Sequence, residues 1–320
     1  MSRFSANLLL ILVALIWGSA FVPQIYGMAH VGPMTFTGVR FVMGSLVVAP
    51  LMWFEWRSLQ REGRPLRRID GFKIAGLGGL LLLGSAMQQI GLMSTTATNA
   101  GFLTALYVPL VPILGWLWLR HLPHWSVWFG ALGSVLGAYL LSGAQSFSIS
   151  RGDLWVIGSA VPWAIHVLLV GRVAHRMSAP FLVAGGQFAV CGLLALLWTA
   201  GFEPVSLAGL QAAAWPLAYT GILSVGVAFT AQVVAQRWAH AADAAILLSS
   251  ETLFAALFGF VLMGDRLDVA GLAGCGLIFA SMIAVQLLPM LDSKAKANLR
   301  VAVVGGDSPL SAVVAEVPRG

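Results

Sequence analysis

Ten long apolar runs dominate this chain and leave few folds open to it. Each has about 18 to 21 residues, which at about 1.5 Å per helical residue matches the roughly 30 Å hydrocarbon core of a bilayer. The runs are continuously apolar rather than alternating, which excludes the strands of a membrane barrel. They are Asn7–Gly27, Met34–Phe54, Ile74–Leu92, Gly101–Leu119, Trp125–Ser142, Leu154–Gly171, Pro180–Ala200, Ala213–Val233, Ala244–Met263 and Val269–Leu288. With 59% apolar and only 9% charged residues, the sequence predicts an all-α integral membrane protein with ten transmembrane helices.

The second half of the chain repeats the first after about 144 residues, a duplication typical of secondary transporters. The clearest stretch, residues 97–130, returns at 241–274, and Trp17 has a counterpart in Trp163. Since each half contributes five helices, an odd number, the second half enters the membrane upside down. The pattern therefore predicts two inverted five-helix repeats.

The loops and charges define the boundaries and the orientation of these repeats. We expect the first repeat at residues 5–142, the second at 151–288, and a mobile cytoplasmic tail at 289–320. If the N-terminus is inside, the outer loops contain only Arg151 and Arg266 of the eighteen Lys and Arg residues. The positive-inside rule then predicts that both termini are cytoplasmic. Topology and lipid headgroups explain the basic balance, so the expected partner is the lipid bilayer and no nucleic acid.

The second repeat carries a recognisable series of residues. Glu251 lies inside an apolar helix that begins with small residues and ends at Gly264, Asp265 and Leu267. This series resembles the EamA-type permeases of the drug/metabolite transporter superfamily. The first repeat fits the same family at Trp17, Gly18, Ser19, Arg40, Phe41 and Pro109. Three places depart from the usual family pattern: Thr252 replaces a proline, Asp265 replaces a glutamate, and the equivalent place of the first repeat has Arg120 and His121 without an acid.

The resemblance implies a permease of the bacterial-type cytoplasmic (inner) membrane that exports a small metabolite, such as an amino acid or related amphipathic compound. Proton antiport is the expected coupling, and neither an enzymatic activity, a cofactor nor a metal site is expected. The loops are too short to build an ATP-driven pump, so an ion gradient or the gradient of the substrate must supply the energy. Two other functions stay open: an importer or uniporter of a vitamin, nucleobase or sugar with this fold, and a non-transporting membrane scaffold or sensor.

Three ionisable residues inside the predicted helices are candidates for the transport site. A charged group there costs about 2.5 to 3.5 kcal/mol on insertion scales, so it is retained where it is paired or lines a wet cavity. Glu251 is either a substrate-ammonium contact or protonatable coupling site, or a hydrogen-bonded link between helices. Arg40 either holds a substrate carboxylate or extends to the interface without a role in transport. His166 either carries a proton or is a neutral histidine hydrogen-bonded to a neighbouring helix.

Aromatic and amide side chains complete the predicted site. Trp17, Tyr107 and Trp163 lie away from helix ends, where they can stack on a substrate, although core packing is their commoner use. Gln88 and Gln232 lie on equivalent helices of the two repeats, where they either line a cavity or bond between helices. We expect the cavity to be built from the first, third, fourth, sixth, eighth and ninth helices.

Small residues on one face of the fifth predicted helix indicate how this helix packs. Gly133 and Gly137 on the fifth helix have the spacing that allows helices to approach closely. The pattern indicates tight packing and, as a weaker alternative, a homodimer.

Overall fold

The computed structural model describes residues 1–95, 97–120, 122–141, 150–263 and 268–305. The family-like residues Gly264, Asp265 and Leu267 lie outside this part of the chain, as do Ser142 and residues 306–320 of the predicted tail.

Helices cover all ten predicted runs within the described residues. We number them α1 to α10 by run, and several consist of consecutive segments. Seven helices are continuous: α1 Arg3–Met28, α2 Pro33–Arg61, α3 Arg68–Leu92, α5 Trp125–Leu141, α6 Arg151–Met177, α7 Pro180–Phe202 and α10 Val269–Gly305. The other three consist of segments: α4 of Ala97–Thr104 and Tyr107–Leu119; α8 of Ala214–Ala218, Tyr219–Phe229 and Thr230–Ala235; and α9 of Ala241–Leu248, Glu251–Phe258 and Gly259–Met263. A short helix, Leu207–Ala212, precedes α8.

The lengths of these helices support membrane crossing. Among the described residues, nine spans are long and apolar enough to cross a bilayer, and the tenth, in α5, is shorter. The last helix continues to Gly305, so residues 289–305 of the segment predicted as a mobile tail are helical. The predicted all-α membrane fold is confirmed.

Packing between the helices follows the internal duplication. Equivalent helices of the two repeats lie against each other, α2 along α7 and α5 along α10. The contact of α3 with α6 is matched by that of α1 with α8. The small face of α5 is used within the chain, because a Cβ added at Gly137 would lie 2.7 Å from both the Gly274 carbonyl oxygen and the Ile278 side chain on α10.

Two glutamates join α2 and α7 at both ends. The Glu203 carboxylate, just after α7, accepts hydrogen bonds from the backbone N–H groups of Met34 (2.9 Å) and Thr35 (2.8 Å) at the start of α2. Near the end of α2, the Glu55 carboxylate accepts a hydrogen bond of 2.7 Å from the Leu182 N–H at the start of α7. Glu55 and Glu203 are separated by the same number of residues as Met34 and Leu182. The two hydrogen bonds therefore occupy equivalent positions in the two repeats. Each glutamate accepts hydrogen bonds from N–H groups at the start of a helix, which have no partner within that helix. Each also lies at the positive end of the dipole of that helix.

Close packing of α1 against α9 depends on Gly18. A Cβ added there would lie 2.6 Å from the Glu251 carbonyl oxygen and 2.8 Å from the Ala255 nitrogen. We expect Gly18→Ala to separate the two helices and lower the free energy of unfolding by about 1–3 kcal/mol. Thermal unfolding of the purified protein in detergent measures this loss as a lower Tm.

Gly101→Ala on α4 is the matched control for this substitution. Its Cβ would lie 3.9 Å from Thr252 Cγ2, an ordinary contact, and alanine favours a helix by up to about 1 kcal/mol. Its Tm should equal or exceed that of the wild type. Equal losses in both variants would contradict the packing argument.

Substitution of Glu203 tests the bond between α7 and α2. In Glu203→Gln, one of the two carboxylate oxygens that accept hydrogen bonds becomes an amide donor facing a backbone donor. We expect a loss of stability of about 1–2 kcal/mol, measured as a lower Tm in detergent. Glu62→Gln is the control, since Glu62 is exposed and its contacts, with Arg64 at 3.7 Å and with the Ser58 hydroxyl at 2.9 Å, are exposed as well. A wild-type Tm for Glu203→Gln would show that this carboxylate does not stabilise the helix pair.

Candidate functional site

Helices α4 and α9 are both interrupted inside the bundle, at equivalent positions of the two repeats. In α4 the interruption lies between Thr104 and Tyr107, and in α9 between Leu248 and Glu251. At each break, backbone N–H groups donate to the carbonyl three residues earlier instead of four, as from the Leu106 N–H to the Leu103 oxygen at 3.3 Å. Tyr107 and Glu251 therefore each begin a new helical segment, and the duplication makes them counterparts. Interrupted helices near the membrane centre are where transporters position substrate groups.

A π-helix forms the middle of α8, from Tyr219 to Phe229. Such segments are rare and occur frequently at functional sites. The Trp17 indole Nε1–H donates to the Ser224 carbonyl oxygen in this segment at 3.3 Å. The Phe229 ring lies 4.4 Å from the Trp17 ring and 6.0 Å from the Trp163 ring, centroid to centroid, and stacks on the latter. These three rings form an aromatic wall between the two repeats.

One cavity collects most of the predicted site residues. It is lined by Trp17, Phe21, Gln24, Arg40, Gln88, Thr104, Tyr107, Trp163, Val167, Ser224, Phe229, Gln232 and Glu251. Seven of the eight predicted residues are among them, and the exception is His166. The six helices expected to build the cavity all contribute to it, and α2 adds Arg40. The structure brings these residues together, and their roles in transport stay predictions.

Two ionisable residues that line the cavity, Arg40 and Glu251, are both buried. Arg40 is 3% exposed and Glu251 is 6% exposed. Within the described part of the chain, neither takes part in an ion pair. The Glu251 carboxylate also has no hydrogen bond within the described residues, whereas Arg40 Nη1 donates to Gln24 Oε1 at 2.8 Å. A buried charge without a partner is costly, so the cavity contains an acid and a base that are both available to a ligand.

Polar groups with unused hydrogen-bonding capacity surround this pair. The buried Trp163 Nε1, Gln232 Oε1 and Arg40 Nε atoms have no partner in the described structure. Tyr107 and Gln88 are already engaged, since the Tyr107 hydroxyl donates to the Ala245 carbonyl at 3.3 Å and Gln88 Nε2 donates to Thr104 Oγ1 at 2.9 Å. A small polar molecule in the cavity can use the free donors and acceptors and exploit both charges.

His166 is fully buried outside this cavity. Its Nε2 atom lies 2.9 Å from Gln187 Oε1 on α7. Its ring and the Trp163 ring are nearly perpendicular, with centroids 6.2 Å apart. A side-chain amide oxygen only accepts, so the hydrogen bond requires a proton on Nε2. The Nε2 atom is thus hydrogen-bonded to a neighbouring helix, as in the structural interpretation, whereas Nδ1 has no partner in the described structure.

Sequence reasoning missed six lining residues: Phe21, Gln24, Thr104, Val167, Ser224 and Phe229. Helical spacing carries the signal for most of them. Phe21 and Gln24 follow Trp17 by four and seven residues, so all three lie on one face of α1. Val167 likewise follows Trp163 by four residues. Extending Trp17 and Trp163 along their own helix faces would have added Phe21, Gln24 and Val167.

A larger cavity adjoins this site on the side where α1 begins. Its water-accessible volume is about 460 Å³, compared with about 60 Å³ for the central cavity, and Val167 lines both. Arg3 and Asp243, which also line the larger cavity, form an ion pair that joins the start of α1 to the start of α9.

Comparisons with known proteins agree with this architecture. Residues 4–143 and 150–287 each match the EamA-like transporter family. An uncharacterized transporter of Archaeoglobus fulgidus is 32% identical over 289 residues, covering 89% of this chain and 87% of the relative. The uncharacterized transporter YoaV of Bacillus subtilis is 23% identical over 280 residues, covering 84% of this chain and 92% of the relative.

A solved crystal structure shares the fold with a TM-score of 0.73 and 21% sequence identity, covering 90% of this chain and 98% of that chain. The family match extends over both repeats, and the alignments cover 87% and 92% of the lengths of the two relatives. The chain therefore belongs to the EamA-like transporter family, within the drug/metabolite transporter superfamily, and is an integral membrane transporter.

Proposed function

We propose that this transporter exports a small zwitterionic metabolite, an amino acid or a related amphipathic compound, in exchange for protons. The observation that carries the proposal is the pair of unpaired buried charges, Arg40 and Glu251, in one cavity with an aromatic wall. A carboxylate fits the guanidinium as a bidentate partner, and an ammonium group fits the glutamate. The aromatic faces accept the apolar part of the molecule or its cation.

Proton antiport follows from the position of Glu251. A charge on its buried carboxylate requires a compensating cation, which the described residues do not provide. A proton and the substrate ammonium group are the two candidates, and they compete for the same oxygens. Exchange of one for the other on Glu251 couples the fluxes in opposite directions.

Alternating access is the expected mechanism, because the central cavity is small and an exporter has to open it to both faces of the membrane. Its water-accessible volume of about 60 Å³ holds a few water molecules. The larger cavity beside it provides a route to the face where α1 begins, with the Arg3–Asp243 ion pair beside that route. Rocking of the inverted repeats about the central site would open it to each face in turn.

The orientation of this cycle rests on the basic residues. The face that carries Arg57, Arg61, Arg64, Arg172 and Arg176 is proposed to be cytoplasmic by the positive-inside rule. Both termini then lie in the cytoplasm of a cell bounded by a bacterial-type inner membrane. The larger cavity opens toward that side, from which an exporter loads its substrate.

Metabolite profiling tests the proposed substrate class. We expect the medium of cells overproducing the wild-type chain to be enriched in an amino acid or related zwitterion, compared with cells producing equal amounts of Glu251→Gln. Untargeted mass spectrometry of both media and of the medium of empty cells measures this. Wild-type medium that matches that of empty cells would contradict the export proposal.

Reconstituted vesicles test the coupling. With the wild type, we expect export of the identified compound to rise when the receiving side is acidified, since protons there can displace the substrate ammonium from Glu251. In Glu251→Gln the amide binds no proton at neutral pH, so the response to the pH gradient should be lost. Glu62→Gln, at an exposed position, should respond as the wild type does. A full pH response in Glu251→Gln would remove Glu251 from the coupling.

A further inference from the structure

Gln24 holds Arg40 at the edge of the cavity by a hydrogen bond that leaves the guanidinium charge uncompensated. Arg40 Nη1 donates to Gln24 Oε1 at 2.8 Å, and Gln89 Nε2 donates to the same oxygen at 2.6 Å. The Gln24 amide nitrogen donates in turn to the Ala20 carbonyl oxygen at 3.1 Å. The oxygen and the nitrogen of the Gln24 amide are thus both hydrogen-bonded, which fixes the orientation of the amide.

Chemistry determines which end of the Gln24 amide meets Arg40. A guanidinium has donors and no acceptor, so the amide atom beside Arg40 must be the oxygen. Gln89 then has to present its NH₂ group to that oxygen, because two acceptors would repel each other. The network therefore has one hydrogen-bond direction, running from Arg40 and Gln89 to Gln24 and from Gln24 to the backbone of α1.

The neutral amide stabilises Arg40 without consuming its charge. The rings of Phe36 and Phe41 add cation–π contacts at 5.7 and 5.1 Å from the guanidinium carbon. Arg40 Nε has no partner in the described structure, and Arg40 and Gln24 both line the cavity. An acidic residue at position 24 would instead form an ion pair with Arg40 and compete with any incoming anion.

We propose that Gln24 is the positioning residue that keeps Arg40 available as a receptor for the carboxylate of the substrate. Gln24 then determines the specificity of this end of the cavity, which accepts compounds with a carboxylate and discriminates against their neutral carboxamides. This inference deepens the proposed function and rests on it. It assigns the carboxylate end of the zwitterion to α1 and α2, and leaves the ammonium end to Glu251 on α9.

The test uses ligand-induced thermal stabilisation of the purified full-length protein in detergent. The probes are the common L-amino acids, each compared with its own carboxamide. For the wild type, we expect at least one amino acid to raise the Tm and its carboxamide to have at least about tenfold lower apparent affinity. Gln24→Glu should bind that amino acid at least about tenfold more weakly, because its carboxylate occupies Arg40.

Gln60→Glu makes the same chemical change at an exposed position near the end of α2 and should bind as the wild type does. Wild-type affinity in Gln24→Glu, or equal binding of an amino acid and its carboxamide, would overturn the proposal.

Melting without ligand tests the position of Arg40 independently of substrate identity. If Gln24 contacts Arg40 as described, Gln24→Glu creates an ion pair and should melt above Gln24→Leu. In an Arg40→Gln background, the same two variants should melt in the reverse order, because the new carboxylate is then buried without a partner. An unchanged order in that background, or Gln24→Glu melting below Gln24→Leu with Arg40 present, would overturn the assigned contact.

These two readouts separate the inference from the proposed function. If no amino acid shifts the Tm of the wild type, the amino-acid proposal fails, and the melting order alone decides whether Gln24 positions Arg40. If amino acids do bind but Gln24→Glu has no effect on them, the proposed function stands and the role of Gln24 is wrong.

Discussion

Two ionisable side chains of opposite type, Arg40 and Glu251, are buried in one cavity without an ion-pair partner among the described residues, and the bundle is organised around them. Hydrocarbon and packed helices offer Arg40 and Glu251 little solvation, and each unpaired charge there costs stability. Helix packing elsewhere has to offset that cost, and glycines bring α1 close to α9 and α5 close to α10. In the proposed function, a ligand that supplies both missing charges would recover this cost on binding.

Duplication provides the geometry of the site, and divergence provides its chemistry. The breaks in α4 and α9 are equivalent in backbone and position, yet one places Tyr107 and the other Glu251 at the start of the new segment. Likewise Trp17 and Trp163 flank Phe229 from the two repeats. A site with two identical halves would hold like charges, which repel each other. In the proposed function, the asymmetry between a phenol and a carboxylate would let a nearly symmetric backbone bind a molecule with different ends.

The fold and most of the cavity follow from sequence because the bilayer imposes length and hydrophobicity on every span, and burial makes polar residues conspicuous. Seven predicted residues line one cavity for that reason. Phe229 escaped because phenylalanine is common in apolar helices, and Gln24 because its significance lies in its contact with Arg40 from another helix. Sequence also does not reveal that Gln187 faces His166. The π-helix of α8 is likewise a product of tertiary packing, since its residues read as an ordinary apolar helix.

In the proposed cycle, stability and motion belong to different parts of the molecule. The glutamates at both ends of α2 and α7 complete hydrogen bonds that need no ligand, so this pair can remain together as a scaffold. Helices α4 and α9, by contrast, are interrupted beside the cavity, and an interrupted helix bends at lower cost because fewer backbone bonds must break. Arg40 belongs to the scaffold pair and Glu251 to an interrupted helix. Binding of one zwitterion would therefore join a fixed element to a movable one, and loss of the ammonium contact to a proton would release the movable side first.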